Sequence, residues 1–308
     1  MGASEKPLDS KTSPIQRLRA DLALLLVTLI WGLAFVVQRY AAPQVGVFLF
    51  NGIRFLLAAL VLMPFALSGR KNWKSLQSHN RGLFLTIMLA GFLLFAGAAF
   101  QQAGLLYTTA GNAGFITGLY VIFIPLILAL FLRQSPRPII WVSAGLALAG
   151  LYLLSSGGVT RPNIGDLLVL VSALIWACHV ILIGWIVLRM DVLPFVIGQY
   201  LVCAAFSILT GLLFEGKTLN DMLQAWQVLF FTGVISVGIG YTLQAASQRI
   251  TPPADAAIIL SVEAIFAAIF GWVLLEEYLN GIQILGCVII FAGMLLSQSD
   301  LFLKKKSS

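Results

Sequence analysis

Charge is what this sequence has least of. Asp, Glu, Lys and Arg make up 10% of its 308 residues against 60% hydrophobic ones, and mean hydropathy is +0.97. Soluble domains carry about 25% charged residues, so a water-soluble fold is excluded. Histidine (two) and cysteine (three) are also scarce. Cys178, Cys203 and Cys287 fall in apolar runs without ligand spacing, which supports neither a disulfide framework nor a zinc site. They read as small apolar fillers. No His-Glu-x-x-His, Asp-Asp-x-x-Asp or Gly-x-Ser-x-Gly motif occurs, so metal, cofactor and enzyme signatures are all missing. The apolar runs do not alternate with polar residues, which excludes a membrane barrel. No short apolar core ends at a small-residue cleavage site, so a targeting peptide is not expected.

What is present is hydrophobic length. Ten charge-poor runs fall near 20–38, 45–67, 82–103, 112–132, 138–155, 165–187, 194–214, 226–247, 254–275 and 281–298. Each matches the length of about 20 residues that a helix needs to cross a hydrocarbon core about 30 Å thick. The fold class expected is therefore an all-α integral membrane protein of ten helices. Residues 1–19 read as a cytoplasmic tail, and 299–308 as a basic one. The longest loop, about 14 residues between spans two and three, leaves no room for an extramembrane domain.

The chain is also written twice. At an offset of 145, Asp21, Leu22, Leu25, Leu29, Ile30 and Trp31 fall on Asp166, Leu167, Leu170, Leu174, Ile175 and Trp176, and Arg54 falls on Gln199. At 143, Gly97, Gln101 and Ala103 fall on Gly240, Gln244 and Ala246. Residues 20–156 and 165–298 are thus two repeats of five spans, and an odd number inverts the second copy relative to the first. Inverted repeats build secondary transporters, with the solute site at the midplane between them. With the N-terminus inside, fifteen of nineteen Lys and Arg lie on the inner side and three outside, Arg54 being within a span. This satisfies the positive-inside rule with both termini cytoplasmic, so the +7 net charge reads as topology and not as a nucleic-acid surface.

Candidate functional residues are those that hydrocarbon tolerates badly. Arg54 lies about ten residues into its span, roughly 15 Å deep, where a charge faces a cavity or an acid. It reads either as a structural lock or as a solute contact. Glu263 reaches a similar depth in span nine; a carboxyl there pairs with a cation or keeps its proton. Either the two form a clamp, or Glu263 is a proton-coupling site. Trp31 and Trp176 come to mid-membrane from opposite faces, away from the interfacial belts where Trp gathers, and read as solute-stacking or packing indoles. Gln101, Gln102, Asn112, His179, Tyr241 and Gln244 need a polar interior to satisfy them. His179 has no partner histidine in register for a metal, and reads as a packing residue or a polar lining residue. Small residues in spans three, four, eight and nine permit close helix approach, and Pro125 can kink span four.

Trp31-Gly32, Asn51-x-x-Arg54-Phe55 and Ala58-Ala59 open a series of motifs. It continues through Pro253-Ala254-x-Ala256-Ala257, the run Val262 to Ala268, Glu277-x-Leu279, Gln283, Gly286 and Ala292-Gly293. In this order they resemble the EamA type of the drug/metabolite transporter superfamily, from about residue 20 to 298. The resemblance implies a central cavity lined by spans one, three, four, six, eight and nine. It also implies alternating access by the pairs three–four and eight–nine. Departures are Gln134 opposite Glu277, Glu276 in place of the usual glycine, and Tyr120 opposite Glu263, which puts Tyr120 among the candidate cavity residues. The function expected is transport of a small organic metabolite, amino acid-like or drug-like, across a bacterial plasma membrane, in the export direction. The proton is the candidate coupling ion. Uptake or exchange of a nucleotide-linked or sugar-like metabolite, and a non-transporting scaffold, are the alternatives.

Overall fold

A computed structural model describes residues 13–68, 81–156, 163–216, 219–276 and 278–299. Much of the charge count falls outside these, including the bases between 69 and 80, Arg161, Lys217, Glu277 and the tail from 300 onward. Among the described residues there is no strand, and nine helices are long and apolar enough to cross a membrane. Spans one to three are Pro14–Ala41, Val47–Ser68 and Arg81–Gly104; spans four to six are Ala110–Leu130, Pro138–Ser155 and Ile164–Ile186. Spans seven to nine are Val192–Phe214, Trp226–Ser247 and Pro253–Leu275, and the shorter apolar helix Gly281–Ser297 stands where span ten was expected.

Span one starts earlier than the sequence suggests, so the expected tail at 1–19 is cut short. Ser13 accepts from the Gln16 amide while the Gln16 side chain accepts from the Ser13 amide, and Pro14 follows. This capping box and N-terminal proline start the helix six residues ahead of the first apolar run. Reciprocal caps of the same kind begin spans six (Asn163, Asp166) and ten (Asn280, Gln283).

Two spans that read as continuous are broken. Span four divides into Ala110–Gly118 and Tyr120–Leu130, and span nine into Pro253–Leu260 and Glu263–Leu275. At both joints the backbone tightens to three-residue hydrogen bonds, Leu119 to Ile116 and Val262 to Ile259, each 3.1 Å. Pro125 is not the shared cause, since span nine breaks without a proline there. Span eight differs again, because Phe231–Tyr241 is wound as a π-helix, a rare form found at functional sites. Its repeat equivalent in span three is ordinary α-helix.

Packing follows the repeat. Span two packs on seven, four on nine and five on ten; three packs on six as eight packs on one. At the five–ten contact a Cβ on Gly150 would lie 2.6 Å from the Gly286 carbonyl, and one on Gly286 2.6 Å from that of Gly150, so the backbones touch. Arg39, in the last turn of span one, donates to the Leu105 carbonyl just beyond span three, and Thr108 donates to Asp166 in the first turn of span six. Span six therefore begins at the end of the bundle where span one finishes. Repeat symmetry extends to strain: Arg133 (φ 52°) and Glu276 (φ 57°), equivalent residues after spans four and nine, are the only described non-glycine residues with positive φ. That left-handed geometry suits glycine, so Glu276 holds it at some strain where the resemblance implies a glycine.

Candidate functional site

A central cavity is lined by spans one, three, four, six, eight and nine, with Arg54 reaching in from span two. Its volume is about 40 Å³, room for a few waters in this conformation. Of the expected residues, it gathers Trp31, Arg54, Gln101, Tyr120, Trp176, His179, Tyr241, Gln244 and Glu263. Asn112 is elsewhere, in a separate groove with Asn163 and Asp166. It sits in the first turn of span four, near one end of the bundle, which corrects its placement among the cavity residues.

The two tryptophans use the repeat. Trp176 packs on Gly97, where a Cβ would lie 3.1 Å from the ring, and Trp31 packs on the equivalent Gly240, where it would lie 2.7 Å from the indole nitrogen. A side chain at either glycine would push an indole away. Their N–H groups then part company. Trp176 Nε1 donates to Gln101 Oε1 at 2.8 Å, whereas Trp31 Nε1 donates to the Ser236 carbonyl at 3.1 Å, inside the π-helical stretch. Gln244, equivalent to Gln101, has both amide atoms buried and without a partner. Tyr241 lies between the indoles, its ring centroid 4.6 Å from that of Trp31 and 5.8 Å from that of Trp176. Its equivalent in the first copy is Ala98, so only one copy supplies a ring there.

At the two helix breaks, equivalent residues meet. Tyr120 and Glu263 each open the second part of a broken span, and the Tyr120 hydroxyl donates to Glu263 Oε1 at 2.8 Å. Arg54 Nη1 donates to Gln38 Oε1 at 2.6 Å, and the guanidinium lies 5.2 Å from the Phe50 ring centre and 5.3 Å from that of Phe55. Arg54 and Glu263 therefore share a cavity without forming an ion pair. The clamp anticipated from depth alone is absent in this conformation because each finds a neutral partner. Gln199, equivalent to Arg54, accepts from His179 Nε2 at 2.9 Å, which leaves His179 Nδ1 bare. Among the described residues no three His, Cys, Asp or Glu side chains gather to chelate a metal.

Gln38, Thr117 and Ser236 also line the cavity and were not singled out in the sequence. Gln38 had a signal: it lies seven residues after Trp31, on the same helix face. Ser236 had none, since its carbonyl contributes and the π-helical winding that presents it is not legible in composition.

At the end where span one begins, Arg17 Nε donates to both Asp21 oxygens (3.1 and 3.0 Å) and Nη2 to Asp255 Oδ1 (3.0 Å) and Gln298 Oε1 (3.3 Å). Arg137 Nη2 reaches the same Asp255 oxygen at 2.6 Å, and Thr251 donates to Asp21 at 2.9 Å. The network ties spans one, nine and ten to the segment before span five. At the other end, the equivalent Thr108 and Asp166 bond at 2.6 Å.

Known proteins with similar sequences carry transporter names. The EamA-like transporter family profile matches residues 18–156 and again 163–298. A protein of Archaeoglobus fulgidus named an uncharacterized transporter is 34% identical over 92% of this chain and 86% of its own. The probable amino-acid metabolite efflux pump of Salmonella typhimurium is 27% identical over 89% of this chain and 92% of its own. The threonine/homoserine exporter RhtA of the same species is 29% identical over 55% and 58%. One crystal structure superposes with a TM-score of 0.73 at 19% identity, covering 96% of this chain and all of that one, which speaks to fold alone. Matched over both halves, the chain belongs to the EamA-like transporter family and is a multi-pass membrane protein.

Proposed function

We propose that this protein is a secondary transporter that exports a small organic solute, amino acid-like or drug-like, by alternating access between two inverted five-span copies. The observation that carries the reading is the Tyr120–Glu263 contact, made by equivalent residues at the breaks of spans four and nine. Broken helices meeting at the repeat interface are where secondary transporters hold solute and coupling ions. The polar and aromatic cavity beside that contact supports the same reading, as do the efflux and exporter names of two relatives. Among the described residues Glu263 forms no ion pair, its bond being to Tyr120, and it is the proposed proton carrier. Both termini are assigned to the cytoplasm of a bacterial plasma membrane by the charge count. The Arg17–Asp255 network then closes the cytoplasmic end.

Reconstitution tests this. Proteoliposomes should show saturable, competable counterflow of labelled threonine or phenylalanine and, in the wild type, net transport driven by a pH gradient. Glu263→Gln should keep counterflow and lose the pH-driven component. Absence of flux sinks the transport reading, and unchanged proton-driven flux in Glu263→Gln removes the coupling role. Single cysteines at Ser68 and Asn163 should label from opposite sides of the membrane; labelling from one side rejects the inverted repeat.

A further inference from the structure

Among the described residues, the one guanidinium on the cavity wall forms no ion pair, the Glu263 carboxyl in the same cavity being bonded to Tyr120. Arg54 is 4% exposed, and among the described residues its hydrogen-bond partner is the neutral Gln38. Gln38 is itself held by its Nε2 bond to the Ala34 carbonyl at 3.0 Å, which aims its oxygen at Arg54. Nε of Arg54 is buried without a partner. The phenyl rings of Phe50 and Phe55 attract the cation weakly and cannot neutralise it. A buried charge in this state is expensive, and an incoming anion offsets that expense.

Gln244 adds a second unused group. Its repeat partner Gln101 is engaged by Trp176, yet both amide atoms of Gln244 are free although the residue is 1% exposed. Duplication supplied two glutamines; the structure uses one for packing and leaves the other bare in the cavity.

We infer that Arg54 anchors the carboxylate of the transported solute, with Gln244 as a neutral hydrogen-bonding partner and the Trp31–Tyr241–Trp176 cluster holding its apolar body. The inference rests on the transport reading above and narrows its solute class to carboxylate-bearing metabolites. A single Arg with no second Lys or Arg on the cavity wall matches a monoanion. A phosphate dianion calls for more positive charge than the site holds.

The test compares head groups on one phenyl body. Phenylalanine, 3-phenylpropionate, phenylalaninamide and 2-phenylethylamine are titrated as competitors of labelled phenylalanine counterflow, and as stabilisers of purified protein against heat. In the wild type, blocking or deleting the carboxylate should weaken competition at least about tenfold, the loss expected for a charged hydrogen bond. Deleting the amine should weaken it less. Arg54→Gln should abolish the preference for acids, and Arg54→Lys should restore part of it. Should Arg54→Gln fail to fold, the wild-type series and Arg54→Lys still decide. Equal competition by amide, amine and acids overturns the carboxylate site while leaving transport standing, as does an unchanged acid preference in Arg54→Gln. Stabilisation by the acids alone, with no flux of any compound, keeps the site and overturns transport.

Discussion

The two ends of this molecule share one backbone and differ in charge. Asp21 and Thr251 bond at one end as their equivalents Asp166 and Thr108 bond at the other. Among the described residues, only the first end joins that pair to arginines, since Arg39 at the other end bonds a backbone carbonyl. Position 162, equivalent to Arg17, is Pro; position 280, equivalent to Arg137, is Asn; and Asn112 stands where Asp255 would. Matching positions in the two family-matched segments thus set where polar groups come together, and the residues that differ between them set how firmly each end holds. A network of two arginines on a buried carboxylate resists separation more than one neutral-to-acid hydrogen bond.

The largest expected effect follows from erasing that difference. Asp255→Asn removes the negative charge shared by Arg17 and Arg137, leaving only a neutral amide oxygen, and should destabilise the protein by about 3 kcal/mol in denaturant titration, most of it through the less exposed Arg17. Asn112→Asp at the opposite end lies in a groove whose described lining holds no arginine, and should change stability by less than about 1 kcal/mol. Equal effects at both ends would mean that the network is ornamental.

A middle-sized effect concerns the cavity, where equivalent indoles have different acceptors. Trp176→Phe strands the Gln101 carboxamide and should lower stability by about 1–3 kcal/mol more than the lost ring area alone. Trp31→Phe strips only a backbone carbonyl and should add less than about 1 kcal/mol. The same denaturant titration reads both, and a reversed order would contradict these assignments.

The smallest effect should be symmetric, because it lies in the backbone. Arg133→Gly and Glu276→Gly each relieve a left-handed conformation and should each stabilise by about 1 kcal/mol. A gain at one position only would show that the two turns are not equivalent.

Much of this was legible in the residues. Ten apolar runs, the offsets of 145 and 143, and the polar and aromatic residues within those runs point to nine of the residues that line the cavity. Hydrocarbon penalises every unsatisfied polar atom, so polar residues in long apolar runs announce an interior. Asn112 misled because depth along a run does not say which face, or which end, a side chain occupies.

By itself, then, the sequence determined helical class and family, since these depend on local hydrophobicity and on residue order. Tertiary structure alone decided who pairs with whom. It parted Arg54 from Glu263, gave Glu263 to Tyr120, broke spans four and nine, and wound span eight as a π-helix. Those outcomes depend on the rotation of each helix about its axis and on glycine contacts between segments far apart in sequence. A repeat period constrains the backbone equally in both copies, while partner choice turns on single side chains that the copies no longer share.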